Sequence, residues 1–404
     1  LLAELEDVSH QERRLLDELE QVGAEVDSQE LMDLEREPMR VRGAYGMATG
    51  RRGTAFSLEK RGFLFPLHPN RYVMPTEVAA VIGAERRISS ERRREQIRSH
   101  LIEEDHLPRR ARFSTDPASL AVAMAMAVVE TNVDVKSTVG TPRSLLARLS
   151  QRFGRDAEST ALIASLSRAV GLWERGGVSF AAPPGSLKLS ELTALLFDTW
   201  RRGGAWDEAR SECELLRLPR EQRDTSPIGV LREMVLDALT DLGEGQWVPY
   251  AALSAYVIDD SRTGGFERLL TRWAKRVGLP RPDTDSLIQK LLVESLPVLG
   301  IVDLGGADVE SASVSGELSS LALRLNPRGR ALIARNYAGS ELANSEGEML
   351  EARTVRIGSN ALVADVIDLA SFVDVAAVDN SVEVNISASA MSRGLSLGVD
   401  ADDM

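Results

Sequence analysis

The sequence predicts a mainly α-helical α+β protein: tandem helical units that each carry a small β-wing, followed by a small C-terminal α/β domain. Three observations carry that expectation. Apolar residues recur mostly at three- and four-residue spacing, the mark of amphipathic helices. Short alternating strands come in pairs with helical pattern on both sides. The interval Thr284–Arg330 holds the whole order in its clearest form.

In that interval Leu287, Ile288, Leu291, Leu292 and Leu296 mark one helix, which leads into a strand at Leu299–Leu304. A polar loop follows, then a second alternating strand at Leu321–Leu325. Asn326-Pro327-Arg328-Gly329 opens another helix. Helix, strand, loop, strand, helix is the order of a winged helix, whose leading helix lies in the major groove in DNA-binding members.

The remaining elements follow in chain order. Residues 1–37 are acidic and helical, with Leu15, Leu16 and Leu19 at helix spacing. Gly62 ends a helix, a strand–turn–strand hairpin runs to Pro75, and Glu77–Ile82 reads as the helix behind it. Lys60, Arg61 and Arg71 belong to this first wing, as surface cations or as phosphate contacts. Arg86–Arg112 holds nine arginines in 27 residues. Interleaved acids dilute its field, so composition favours a solvated linker. Leu120–Val129 is too short to span a bilayer and reads as a buried helix. Ser144–Phe153 and Ala157–Val170 are helices, followed by expected short strands at Leu172–Glu174 and Val178–Ala181. Ser190–Trp200 restarts a helix, and the tryptophans around it read as core anchors. Helices at 228–239 and Ala251–Val257 flank the extended Trp247–Tyr250. Phe266–Val277 carries Arg268, Arg272, Lys275 and Arg276 on one helical face. Beyond a polar link at Ser340–Glu351, the end of the chain reads as helix, strand and helix. The expected divisions are thus 1–82, 83–140, 141–222, 223–338 and 352–404. The last stops in what reads as an early helical turn, as a fragment would.

The 404 residues suffice for two to four cores, and a net charge of −13 excludes a generic polyanion binder. Aromatic residues make up 5%, which argues against base stacking as a main mode. One cysteine, Cys213, excludes an internal disulfide framework and fits a reducing, cytoplasmic setting. Gly46–Gly53 is glycine-rich but lacks the Lys-Ser/Thr of a phosphate loop, and no hydrolase, kinase or zinc-protease signature appears. His100 and His106 bracket three acids, a set that reads as surface charge rather than a metal site. Cys213 between Glu212 and Glu214 is a poor nucleophile. No catalytic residue, metal or cofactor is expected.

The run Ser387-Ala-Ser-Ala-Met-Ser-Arg-Gly-Leu-Ser-Leu-Gly-Val-Asp-Ala401, behind the runs Leu369–Val375 and Val382–Ile386, resembles the helicase-associated domain of the XPB type. Ser387 stands for the family's Thr, while Met391, Arg393, Gly394, Leu395, Gly398 and Ala401 fill the pattern. The Leu323–Leu332 run resembles the segment preceding that domain in bacterial helicase-associated proteins, as Arg61-Gly62 and Arg71–Val78 resemble their early wing. The resemblance implies DNA association beside a superfamily 2 helicase, in cis or in trans, in repair or transcription. Every helicase motif is missing, so ATPase activity is not carried over.

The expectation is therefore a non-enzymatic DNA-binding, helicase-associated accessory module that contacts duplex or forked DNA along its backbone without strong sequence specificity. Contacts are expected from Arg268, Arg272, Lys275, Arg276 and Lys290, and from Arg324, Arg328 and Arg330 at the wing. Two other readings stand beside it: a protein-interaction scaffold of winged helices, and the N-terminal part of a helicase whose motor lies outside this chain. No membrane partner is expected.

Overall fold

A computed structural model describes residues 4–31, 54–306, 318–335 and 346–400, apart from 6, 22, 29–30, 68–69, 103–107, 109, 132, 134, 137–138, 174–184 and 244. Two compact units emerge, Leu1–Ser99 and His100–Met404. The protein is a mainly helical α+β chain with small antiparallel sheets. Among the described residues no helix is long and apolar enough to cross a membrane.

In the first unit α1 (His10–Gln21) starts at a reciprocal cap. The Ser9 amide donates to the Glu12 carboxylate (2.7 Å) while the Glu12 amide donates to Ser9 Oγ (3.3 Å). Leu15, Leu16 and Leu19 point inward and join Leu58, Phe63, Leu64, Met74 and Ile82 in one core. Burying each such leucine contributes about 1.5–3 kcal/mol. β1 (Glu25–Asp27), α2 (Thr54–Lys60), β2 (Phe65–Leu67) and β3 (Arg71–Val73) follow. The hairpin at 65–73 forms as its sequence pattern predicts, and β1 pairs on the far side of β3, giving the order β1-β3-β2. Gly62 takes φ +76° to end α2, a left-handed cap that a side chain would strain. Behind Pro75, α3 runs from Thr76 to Arg98, well past Ile82. Half of the arginine-rich stretch is thus helix rather than linker. Arg, Glu, Gln and Ala are good helix formers, and no Gly or Pro interrupts residues 84–107.

The second unit opens with β4 (Ala111–Arg112) and α4 (Pro117–Glu130), which is buried over nearly its whole length, as its composition predicts. α5 (Arg143–Phe153) and α6 (Ala157–Ala169) pack on each other. The strand expected at Leu172–Glu174 is not there at Leu172 and Trp173. Gly171 (φ +85°) closes α6, with Gly171 N–H on Arg168 O and Leu172 N–H on Ser167 O, a glycine-based helix stop. Its expected partner at Val178–Ala181, with the Gly176-Gly177 turn, lies outside the described residues.

α7 (Leu189–Arg202), α8 (Ile228–Leu242), β5 (Trp247–Pro249), α9 (Tyr250–Ile258) and α10 (Thr263–Val277) come next. α11 begins at Thr284–Gln289, widens into a π-turn over Lys290–Ser295 and ends with Leu296–Val298. β6 (Val302–Gly305) and β7 (Ala322–Leu325) realise the predicted strand pair, with Leu304 opposite Leu323. β5 pairs with β7, and β4 with β6, so the sheet order is β4-β6-β7-β5. α12 (Pro327–Ile333) is capped by Asn326, whose Oδ1 accepts from Gly329 N–H at 2.7 Å. A Cβ on Gly329 would overlap the Ile301 carbonyl, so the chain passes there only without a side chain.

The C-terminal part is β8 (Glu348–Glu351), β9 (Thr354–Arg356), α13 (Val363–Leu369), β10 (Asp374–Val378), β11 (Val382–Asn385) and α14 (Ala388–Ser396), with sheet order β10-β11-β9-β8. β8 falls inside the stretch that composition marks as a link. Its side chains are mostly exposed, so no apolar alternation betrays it. α4 packs against α13, β10 and β11.

Candidate nucleic-acid interface

α10 places its cations by amphipathicity. Phe266, Leu270, Trp273 and Ala274 are buried along one seam, which turns Arg272, Lys275 and Arg276 to solvent. Trp273 fixes the helix: its indole N–H donates to Asp224 O (3.1 Å) and the Arg210 guanidinium stacks over its ring (4.9 Å). Arg276 ion-pairs with Asp224 at 2.6 Å, an exposed pair that contributes little stability. Arg268 is half-buried and lies back over Gly264 and Gly265 in the first turn. Gly278 (φ +70°) ends the helix.

α11, the helix that would enter a groove, is buried almost all round. Leu287, Ile288, Leu291, Leu292, Val293, Ser295 and Leu296 each expose 3% or less. Its exposed end offers Asp285 and Ser286 behind the capping Asp283, which is acid where a phosphate backbone would lie. Lys290 turns inward, its Nζ donating to the carbonyls of Glu208 (3.3 Å) and Arg210 (3.4 Å).

The wing cations divide. Arg324 binds Asp303 Oδ2 through Nη2 (2.6 Å) and Nε (3.2 Å), with its guanidinium 4.9 Å from the Trp247 ring and 5.5 Å from that of Phe113. Arg328 donates to Asn380 Oδ1 at 3.4 Å. It also faces Asp116, whose carboxyl is held above its ordinary value mainly by burial, against the opposing pull of Arg328 and the Thr193 hydrogen bond. Arg330 is exposed on α12. Of the eight predicted contacts, α10 gathers Arg272, Lys275 and Arg276 on one outer face, the last paired with exposed Asp224, and holds Arg268 half-buried at its first turn. Arg330 sits on another helix, and Lys290, Arg324 and Arg328 are engaged with the protein itself.

A second feature was invisible in the sequence. A cavity of about 200 Å³ is lined by Glu158 of α6, by Lys290, Glu294 and Ser295 of the π-turn, and by Glu208 and Cys213. Burial, then the hydrogen bond and charge of Glu158, raise the Glu294 carboxyl to about 7, with Lys290 opposing. Burial pushes the Cys213 thiol up to about 12, with Glu208 adding to it. Such a thiol is protonated at neutral pH and a poor nucleophile. The flanking Glu212 and Glu214 suggest that direction, but burial is the larger cause. Glu208 is itself tied to Arg232 (2.5 Å), Trp200 Nε1 (2.8 Å) and Ser295 Oγ (2.9 Å). Nothing in local sequence pairs Glu158 with Glu294; only the packing of α6 on α11 does.

Among the described residues no group of three His, Cys, Asp or Glu side chains is placed to hold a metal; His106 lies outside them. No family model, curated protein or solved structure matches the chain.

Proposed function

We propose that this chain is a non-enzymatic accessory module that grips the nucleic-acid backbone through the outer face of α10, without reading bases. One observation carries the reading: Arg272, Lys275 and Arg276 share a solvent face on a helix anchored by a buried apolar seam. Fixed cations on a rigid helix suit phosphate, which needs charge and spacing rather than base-edge chemistry. The burial of α11 supports the same distinction, because the helix best placed for base reading has no free face.

The fold reading behind it is a tandem of winged-helix-like units. Two sheets support it, since β1-β3-β2 and β5-β7-β6 follow one scheme in which the first strand pairs with the third and the third with the second. Association with a superfamily 2 helicase, in cis or in trans, rests on the resemblance of the Leu323–Leu332 and Ser387–Ala401 runs. A second reading, a docking scaffold, is favoured by the net charge of −13 and the acidic open end of α11.

Titration of duplex and forked DNA against salt separates the two. Release of counterions from three phosphate contacts gives a log–log slope of about −3, whereas apolar docking gives almost none. The triple replacement Arg272→Glu, Lys275→Glu, Arg276→Glu is expected to abolish binding at moderate salt. Binding that survives it unchanged removes the backbone-gripping assignment.

A further inference from the structure

β4 forms one edge of the β4-β6-β7-β5 sheet, and the chain leaves it through Phe113, which is 64% exposed. Exposed apolar side chains scattered singly over a surface are ordinary. Phe113 differs in its backbone and in its neighbours. Ser114, the next residue, donates from its amide (3.0 Å) and its hydroxyl (3.2 Å) to Oδ1 of buried Asp303, and its Oγ accepts from Asn326 Nδ2 (2.8 Å). On the other side Arg110 O accepts from Gly306 N–H (3.0 Å), and Ala111 and Arg112 pair with Gly305 and Leu304. The backbone under Phe113 is fixed from both sides, so a ligand meets the ring without the cost of ordering a loop.

The ring is also the open end of a stack. Asp303 stands opposite Arg324, and Arg324 opposite Trp247, across β6, β7 and β5. Held by Asp303 through Nε and Nη2, Arg324 lies over the Trp247 ring at 4.9 Å and over the Phe113 ring at 5.5 Å. Trp247 is buried, so that end is closed. Any further member joins at Phe113, from solvent.

Charge around the open end selects that member. Arg110 and Arg112 are exposed on either side of Ala111, and Arg155 Nη2 reaches Thr115 Oγ1 (3.4 Å), two residues beyond the ring. Asp303 is matched by Arg324, while Asp156 and Glu158 line the cavity that Arg112 also borders. A flat ring with negative charge on both sides of it is the chemistry of a nucleic-acid strand. In a duplex each base is already stacked and paired, so only an unpaired base is free to lie on a side chain.

We propose that Phe113 is a stacking platform for one unpaired base, with Arg110 and Arg112 on the flanking phosphates, so that the chain prefers single-stranded or forked nucleic acid to duplex. The ligand class rests on the backbone-gripping reading above, while the site itself does not involve α10. Stacking tolerates any base, in keeping with contact that reads no sequence.

Fluorescence polarisation of the full chain tests this with three labelled ligands of equal length: oligothymidylate, the same strand with abasic sugars, and a duplex. The native chain is expected to bind oligothymidylate about tenfold more tightly than the abasic strand, the effect of one stacked base. Phe113→Ala removes this difference and leaves duplex affinity unchanged, whereas Phe113→Trp keeps it. The ring is mostly exposed, so a thermal melt of Phe113→Ala is expected to match that of the native chain. Equal affinity of the native chain for the two strands overturns the platform, and assigns the ring to a protein contact instead. A preference that survives in Phe113→Ala overturns it as well. The α10 reading fails separately: charge reversal at Arg272, Lys275 and Arg276 that leaves all three affinities unchanged removes that reading and keeps the platform. Absence of binding to every ligand removes both.

Discussion

At the scale of residues, arginine does two opposite jobs in this chain. Arg232 is fully buried and donates to the carbonyls of Trp200 and Trp206 and to Glu208, with the Trp200 ring 4.6 Å away. Arg168 is buried in the same way against Glu214 and Thr141. Removing one partner of such a pair leaves the other charge buried alone. Arg232→Ala is therefore expected to lower unfolding stability by about 3–5 kcal/mol in a urea titration. Arg272 and Lys275, by contrast, tolerate alanine with a change within about 0.5 kcal/mol, because they stand outside the core. Glu294 gives a third outcome. Its folded carboxyl is raised to about 7 from 4.5, so its contribution is fully present below the unfolded value and lost as pH rises through the folded one. The melting temperature is expected to fall between about pH 5 and about pH 8, and Glu294→Gln to flatten that fall. Arg232 stands between Ile228, Val235 and Leu236 at helical spacing, whereas Arg272 stands between Arg268, Lys275 and Arg276; which carbonyls and carboxylate receive the buried guanidinium is decided by packing.

At the scale of elements, the motifs that carry the helicase-associated resemblance turn out to hold backbone together. Ser387 caps α14 by accepting from Ala390 N–H (3.0 Å) while its hydroxyl donates to Asp374 (2.6 Å). Arg393, further along the same helix, donates to Val373 O (2.7 Å), Ala370 O (3.2 Å) and Asp374 Oδ1 (3.0 Å), tying α14 to the α13–β10 corner. Asn326, Pro327 and Gly329 do the equivalent work at the start of α12. Ser387→Ala is expected to cost about 1 kcal/mol, as loss of an N-cap does. Gly329→Ala should cost more, since the Ile301 carbonyl occupies the place of the new methyl; thermal melts of the two variants rank them. Caps, breakers and strand alternation act within a few residues, which is why these elements and the 65–73 hairpin can be read from sequence. β4 and β8 cannot, because a two-residue strand and an exposed strand leave no periodic trace.

At the scale of the molecule, the two compact units each have a core of their own. The chain from His100 to Met404, expressed alone, is expected to keep a cooperative melt; under the proposed backbone-gripping reading it also keeps salt-dependent DNA binding, since α10 lies within it. A net charge of −13 repels a polyanion at long range, so under the same proposed reading association is expected to be slow at low salt, with affinity supplied at short range by α10.

Local pattern in the chain was sufficient for the helical α+β class, for the strand pairs at 65–73 and 302–325, and for the absence of recognisable catalytic motifs. These follow from periodicity and stop signals, which are short-range. Tertiary packing alone decided that α11 has no open face, that Lys290, Arg324 and Arg328 are turned to protein partners, and that Glu158 meets Glu294. Burial and charge pairing depend on which distant segments pack together, and a side chain carries no mark of its future neighbour.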